Sequence, residues 1–245
     1  MQPQDVFRPG ARFIGVITPS GNTVVERVTQ AILANFPGIT ALFSRTPVFG
    51  ESDPLPKSYG VPDMLTAARL LAHARPEVMV WNGSKGAKIG IDHDREFCAL
   101  VHAQTGIRCS SSIIALDEVL RQRGVTRIAI VSPYDSEYQQ GLVATMEKMG
   151  YEVVAERHVE LKENISFASI HAERIARMVR EAAEAKPEAV LTLCTNFPAA
   201  SVIPALEAET GITMLDSVSI GVWEALRMAG IDTAPARAWG QLFAA

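Results

Sequence analysis

One pattern is written twice in this chain. Ile14-Gly15-Val16-Ile17-Thr18-Pro19-Ser20 is matched by Ile128-Ala129-Ile130-Val131-Ser132-Pro133-Tyr134: strand residues, a hydroxyl, a proline, then a polar side chain. Farther on, Pro76-Glu77-Val78-Met79-Val80-Trp81-Asn82-Gly83-Ser84 is matched by Pro187-Glu188-Ala189-Val190-Leu191-Thr192-Leu193-Cys194-Thr195. Thr105-Gly106-Ile107 then returns as Thr210-Gly211-Ile212. Blocks repeated in the same order imply two copies of one folding unit, so the two halves should share a topology and face each other about a pseudo-two-fold axis.

The unit itself reads as alternating strand and helix. Short Val/Ile/Leu-rich runs at 13–18, 40–44, 78–81, 127–132, 151–156, 189–193 and 213–215, with a strand-like segment from Cys109, alternate with amphipathic stretches at 24–35, 63–74, 95–105, 113–122, 137–149, 168–185, 199–210 and 219–229. Unbroken apolar strands between helices predict parallel sheets covered on both faces. The expected fold is therefore α/β: two pseudo-symmetric Rossmann-like lobes with the active site in the cleft between them. Residues 1–115 with 216–245 are expected to form one lobe and 116–215 the other. Ligands of open parallel sheets bind beyond the carboxyl ends of the strands, which directs attention to the loops 19–23, 83–86, 133–135 and 194–196.

Charge narrows the partners. The net charge is −4 and no cluster of Lys or Arg forms in the 245 residues, which argues against nucleic acid as a partner. No apolar run approaches the roughly 20 residues of a membrane span, and Met1-Gln2-Pro3-Gln4-Asp5 lacks a secretory pattern. A cytoplasmic protein is expected. Three cysteines cannot all pair, and five histidines show no ligand spacing with them, so neither a disulfide framework nor a metal is expected. Oligomeric state is not readable, and a homo-oligomer stays open.

Among individual residues, Cys194 carries the strongest signal. It ends a strand-like run and precedes Thr195-Asn196, read as the start of a helix, where amide dipoles would lower the thiol pKa. The competing reading is a buried structural cysteine. Cys98 and Cys109 read as structural. Ser20-Gly21-Asn22-Thr23 places polar side chains at a strand-to-helix turn, with Asn22 suited to a carboxylate; a capping box between Thr23 and Glu26 is the alternative for that pair. Gly83-Ser84-Lys85-Gly86 lacks phosphate-loop spacing, but its amides and the Ser84 hydroxyl suit an oxyanion. Lys85 is suited to clamping a carboxylate, and Asn82 adds further polarity. Tyr134 and Asn164 are single polar residues with weak signals of their own. Asp92-His93-Asp94 reads as a solvated helix start.

Pro19-Ser20-x-Asn22-Thr23-x-x-Glu26, Ser132-Pro133-Tyr134, Asn164 with Phe167, Leu193-Cys194-Thr195, and Asp216-Ser217 ahead of Trp223 together resemble the aspartate/glutamate racemase superfamily. The likeness is to the branch holding maleate cis–trans isomerase and arylmalonate decarboxylase, and it spans essentially the whole chain. Family enzymes place a cysteine at each of two symmetry-related strand ends. Here the internal repeat sets Gly83 opposite Cys194, so the chain departs from that pattern and resembles the single-cysteine decarboxylases. The resemblance implies a cofactor-free reaction on a small carboxylate. Carbon dioxide leaves; Ser84, Tyr134 and amides near Thr195 hold the enediolate; Cys194 protonates it. Ser20, Asn22, Gly83, Lys85, Asn164, Thr195 and Asn196 would contact substrate. The Pro19–Glu26 segment is more similar to the isomerases, leaving a maleate-type or racemase-type isomerase as the alternative. A cysteine hydrolase and a two-lobed binding protein are further readings.

Overall fold

The computed structural model describes residues 10–51 and 53–244. Residues 1–9, on which the expectation of no secretory leader rests, lie outside the described residues, as do Ser52 and Ala245.

Two four-stranded parallel sheets form the molecule, an α/β fold. The first contains β1 (Arg12–Pro19), β2 (Ile39–Thr46), β3 (Val78–Trp81) and β4 (Arg108–Ser111), in the order β2-β1-β3-β4. The second contains β5 (Arg127–Ser132), β6 (Glu152–His158), β7 (Ala189–Thr192) and β8 (Thr213–Asp216), in the order β6-β5-β7-β8. Strand order is thus the same in both sheets. Register agrees as well: Ile14 pairs with Val78 and Ile17 with Trp81, while Ile128 pairs with Ala189 and Val131 with Thr192. Carried two residues along the chain, this register makes Gly83 the counterpart of Cys194.

The likeness extends to backbone detail. Arg75 and Lys186, each just before the proline that opens a repeated block, both hold φ at +51°. Gly106 and Gly211 end matching helices in the left-handed conformation, at φ 71° and 69°. Glycine adopts that conformation without the Cβ penalty, which is why this cap recurs. In both copies the preceding threonine hydroxyl donates to the helix, from Thr105 to the Val101 carbonyl and from Thr210 to the Leu206 carbonyl.

Helices flank the sheets: α1 (Val25–Leu33), α2 (Val61–Ala72), α3 (Gly86–Ile89), α4 (Ile91–Thr105), α5 (Ser112–Gln122), α6 (Ser136–Lys148), α7 (Asn164–Phe167), α8 (Ala172–Ala183), α9 (Ile203–Thr210) and α10 (Ser217–Met228). None of the described helices is long and apolar enough to cross a membrane. The counterparts α5 and α10 pack on each other across the pseudo-two-fold axis, and α10 also lies on β3 and β4. One apolar cluster runs through both halves, from Ile14 and Val80 to Val131, Leu191 and Leu226. We propose the lobe division 1–115 with 216–245 against 116–215; the packing of α10 on the first sheet supports it, and its first boundary falls within α5.

Helix starts differ from the sequence expectation at several places, and α4 begins four residues before the stretch read as a helix over 95–105. The stretch read as a helix over 199–210 begins only at Ile203, because Pro204 is accepted in a first turn but not deeper in a helix. The helix read over 168–185 begins only at Ala172, as α8, and the short α7 precedes that stretch.

Candidate active site

The carboxyl ends of β1, β3, β5 and β7 open onto one cavity of about 270 Å³ between the halves. Its lining includes Ser84, Lys85, Tyr134, Asn164, Cys194 and Thr195. Of the three cysteines, Cys194 alone lines it.

Cys194 lies two residues beyond β7, in a turn and not at a helix start. Burial pushes its thiol up to about 12. The expectation of a lowered pKa is therefore corrected, since α9 begins well downstream and its dipole does not reach the sulfur. Three groups pull the other way: the Tyr134 hydroxyl, the Asn196 N–H, which donates to Sγ at 3.3 Å, and the Phe197 N–H. Negative charge on Asp216 adds to the upward push. The resting group is a protonated thiol with donors prepared for the thiolate.

Tyr134, from the β5–α6 turn, meets Ser84 from the β3–α3 turn with their hydroxyl oxygens 3.1 Å apart. Tyr134 is stacked on Tyr138 at a centroid distance of 4.0 Å and meets Phe167 edge-on at 5.3 Å. Burial first, and then the neighbouring Cys194, raise the Tyr134 pKa well above the usual phenol value, so it stays a hydrogen-bond donor.

Asn22 and Asn196 are buried behind the cavity wall. Asn22 caps α1 by accepting from the Val24 and Val25 N–H groups, and it donates to Thr195 Oγ1 at 3.0 Å. Asn196 accepts from the Thr23 N–H at 2.9 Å and donates to the Asn164 carbonyl at 2.6 Å. Together they join the loops after β1 and β7 across the lobes and set Thr195 and Asn164 into the cavity wall. Ser20 exchanges hydrogen bonds with the Val48 backbone, pinning the loop 47–61. Lys85 latches the same loop, with Nζ 2.9 Å from Asp53 Oδ1 and 2.6 Å from the Leu55 carbonyl.

Three features escaped the sequence reading. Trp81, Tyr59 and Asp94 form a chain: the Trp81 indole N–H donates to the Tyr59 hydroxyl at 3.2 Å, which donates to Asp94 at 2.5 Å. Tyr59 and Trp81 line the cavity. Asp94 is fully buried and its pKa is raised to about 6 by burial, so the reading of Asp92-His93-Asp94 as a solvated helix start is corrected at that residue. Gly86 makes the room: a Cβ there would lie 2.3 Å from Asp94 Oδ1. Asn82, read as pocket polarity, instead donates to the Val218 carbonyl and accepts from Ser112, away from the cavity. At Gly83 a Cβ would fall 2.2 Å from Trp81 Cζ2, so the indole occupies the place a side chain would take.

The family model described as arylmalonate decarboxylase matches residues 61–243. The chain belongs to this family. A curated relative, the maleate isomerase of Nocardia farcinica, is 26% identical over 243 residues, covering 92% of this chain and 93% of the relative. Arylmalonate decarboxylase of Bordetella bronchiseptica is 25% identical over 141 residues, covering 57% of this chain and 59% of the relative. Among solved structures, a cysteine-to-serine variant of the Nocardia farcinica maleate cis–trans isomerase, with a covalently bound succinylcysteine intermediate, superposes with a TM-score of 0.83 at 25% identity, over 94% of this chain and 98% of that one. An arylmalonate decarboxylase structure superposes at 0.78 with 21% identity, over 95% and 99%, a likeness of fold. The fold fits the aspartate/glutamate racemase superfamily, and the chain is an enzyme of the isomerase or decarboxylase kind.

Proposed function

We propose that the chain is a cofactor-independent decarboxylase of a malonate-type carboxylate. Cys194 is the single proton donor, Ser84 and Tyr134 are oxyanion donors, and the enzyme acts in the cytoplasm. The observation that carries this reading is the pairing of one protonated cavity thiol with an apolar opposite wall. Trp81, Tyr59, Met64 and Leu55 lie along the lining. Both lining lysines are engaged, Lys85 with Asp53 and Lys162 with Asp135 at 3.9 Å. A departing carboxylate in such surroundings is poorly solvated, which favours its loss as neutral carbon dioxide.

The electrons of the breaking carbon–carbon bond pass into the remaining carboxylate, giving an enediolate. The hydroxyls of Ser84 and Tyr134, with the amides near Thr195, face the developing charge; one such donor is worth about 3 to 4 kcal/mol in other enzymes. Cys194 then gives its proton to carbon. A thiol at about 12 keeps that proton at neutral pH, yet is far more acidic than the carbon acid it forms. The Asn196 N–H and the Tyr134 hydroxyl hold the resulting thiolate until solvent restores the proton. Asn164 and Thr195 contact or orient the substrate and Lys85 holds the loop over it through Asp53 and Leu55, while Asn22, Asn196, Ser20 and Gly83 shape the wall behind them.

Turnover of substituted malonates in deuterated solvent tests this reading. Loss of carbon dioxide with one deuterium per product is expected. Cys194→Ala should lower the rate by at least about a hundredfold, the range of a general acid, with an unchanged circular dichroism spectrum. Wild-type turnover in that variant, or no decarboxylation across malonates, would sink the proposal.

A second reading, maleate isomerisation, is favoured by the relative that covers most of the chain. It predicts conversion of maleate without loss of mass.

A further inference from the structure

The two lobes make opposite choices at one pair of positions. In the second, the strand-end residue is Thr192 and the residue two further on is Cys194. In the first, the counterparts are Trp81 and Gly83. Thr192 is small and turned to Asp216, its hydroxyl 3.4 Å from Oδ1, which leaves the Cys194 side chain room to enter the cavity. Trp81 is large, and its six-membered ring lies over Gly83, with Cζ2, Cε2 and Cη2 at 2.2, 2.5 and 2.8 Å from where a Cβ would stand. Real Cβ atoms do not approach ring carbons so closely, so any side chain at 83 requires the indole to leave.

The indole is not free to leave. Strand alternation puts Trp81 on the side of Met79, in the apolar cluster with Ile17, Met64 and Phe97. Its N–H is held by Tyr59, which meets the ring edge-on at a centroid distance of 5.9 Å and is itself tied to buried Asp94. Three segments of the first lobe thus converge to keep one ring in place, and that ring forms part of the cavity wall.

We infer that Trp81 is the specificity-determining residue that closes the first-lobe face of the cavity. It fills the place of a second acid–base side chain, so that protonation proceeds from the Cys194 face alone. Trp81 and Gly83 are then one unit, and a single change at 83 cannot open that face. The packing half of this inference stands on geometry alone; the stereochemical half rests on the proposed decarboxylation.

A thermal double-mutant cycle tests the first half. Gly83→Ala should lower Tm by about 5 °C in the wild-type background, the scale of a modest overpacking. The same change should cost less than about 2 °C beside Trp81→Thr, or beside Trp81→Leu if the threonine variant is insoluble. Equal shifts in both backgrounds, or none in the wild type, overturn it.

For the second half, the enantiopure decarboxylation product is incubated in deuterated water with each variant. In the double variant W81T/G83C, a thiolate at 83 can take the α-proton to give the enediolate. Cys194 can then return a proton to the opposite face, and the two groups exchange thiol and thiolate states. Loss of optical purity with deuterium uptake should rise at least about tenfold over wild type in the double variant, and stay within about twofold in G83C. Racemisation by G83C as fast as by the double variant overturns the inference. So does a folded, decarboxylating double variant that shows no exchange. If the wild type decarboxylates no malonate, the proposed function fails while the thermal cycle still decides the packing.

Discussion

At the scale of single residues, the charge of the Asp216 carboxyl helps to raise the Cys194 thiol. Asp216 accepts from the Val218 and Ser219 N–H groups and the Ser219 hydroxyl, capping α10, and its pKa is raised to about 6 by burial. It is therefore ionised when the thiol titrates, and its charge opposes the thiolate. Asp216→Asn keeps an oxygen for the cap and removes that charge. The pH at which Cys194 becomes half-reactive toward iodoacetamide, followed on its peptide by mass spectrometry, should fall; an unchanged or higher midpoint refutes the coupling. Stability changes in the same variant. A carboxyl raised from 3.8 to about 6 holds a proton in the native state that the unfolded chain has already released. Stability is fully present below pH 4 and is lost as pH rises through 6. Removing the carboxyl should flatten Tm against pH across that window.

Among the elements, the loop 47–61 shows how the site depends on segments that carry no local signature. Lys85 reaches from the β3–α3 turn to Asp53 and to the Leu55 carbonyl, and so fastens the middle of the loop over the cavity, beyond the point where Ser20 holds Val48. Lys85→Met removes both contacts and keeps the aliphatic stem. An increase of about tenfold in KM is expected, equivalent to about 1.4 kcal/mol, with faster proteolysis within the loop and Tm lowered by no more than about 2 °C. An unchanged KM would show that the latch has no part in binding. The same loop marks where the sequence becomes hard to read. Strands such as β3 and β7 were legible because strands buried on both faces must be continuous apolar runs, and their repetition placed Gly83 opposite Cys194. The Trp81–Tyr59–Asp94 chain was not, because its members come from a strand, a loop and a helix and meet only in the folded protein. Cys194 was found, but its environment was misread: Leu193-Cys194-Thr195-Asn196 resembles a helix entry until Pro204 is given its weight. Buried turn and helix start push a thiol pKa in opposite directions.

For the molecule as a whole, duplication invites the expectation of two independent halves, and the packing opposes it. The helix α10 follows the second sheet in sequence yet lies on β3 and β4 of the first, against its own counterpart α5. Polar contacts reinforce that placement: Asn82 donates to the Val218 carbonyl, Arg108 to the Met228 carbonyl, and Arg12 to the Ala229 carbonyl. At the opposite end of the interface, Asn22 and Asn196 bind the two lobes through Thr195, Thr23 and Asn164. A fragment ending before residue 217 would expose the apolar face that α10 covers, including buried Val80 and Ile113, and a fragment starting at residue 123 would leave α10 with no sheet to cover. Because one core cluster runs through both halves, separating them exposes apolar surface that neither half covers alone, against a total stability of only about 5–15 kcal/mol. The intact chain should therefore melt in a single calorimetric transition with equal calorimetric and van't Hoff enthalpies. Residues 1–122 and 123–245 expressed separately should show no cooperative melting, and should regain it, together with turnover, only when mixed. Two resolved transitions in the intact chain, or a cooperative melt from either fragment alone, would show that the lobes are independent and that the active-site cleft is held by the loop contacts and not by a shared core.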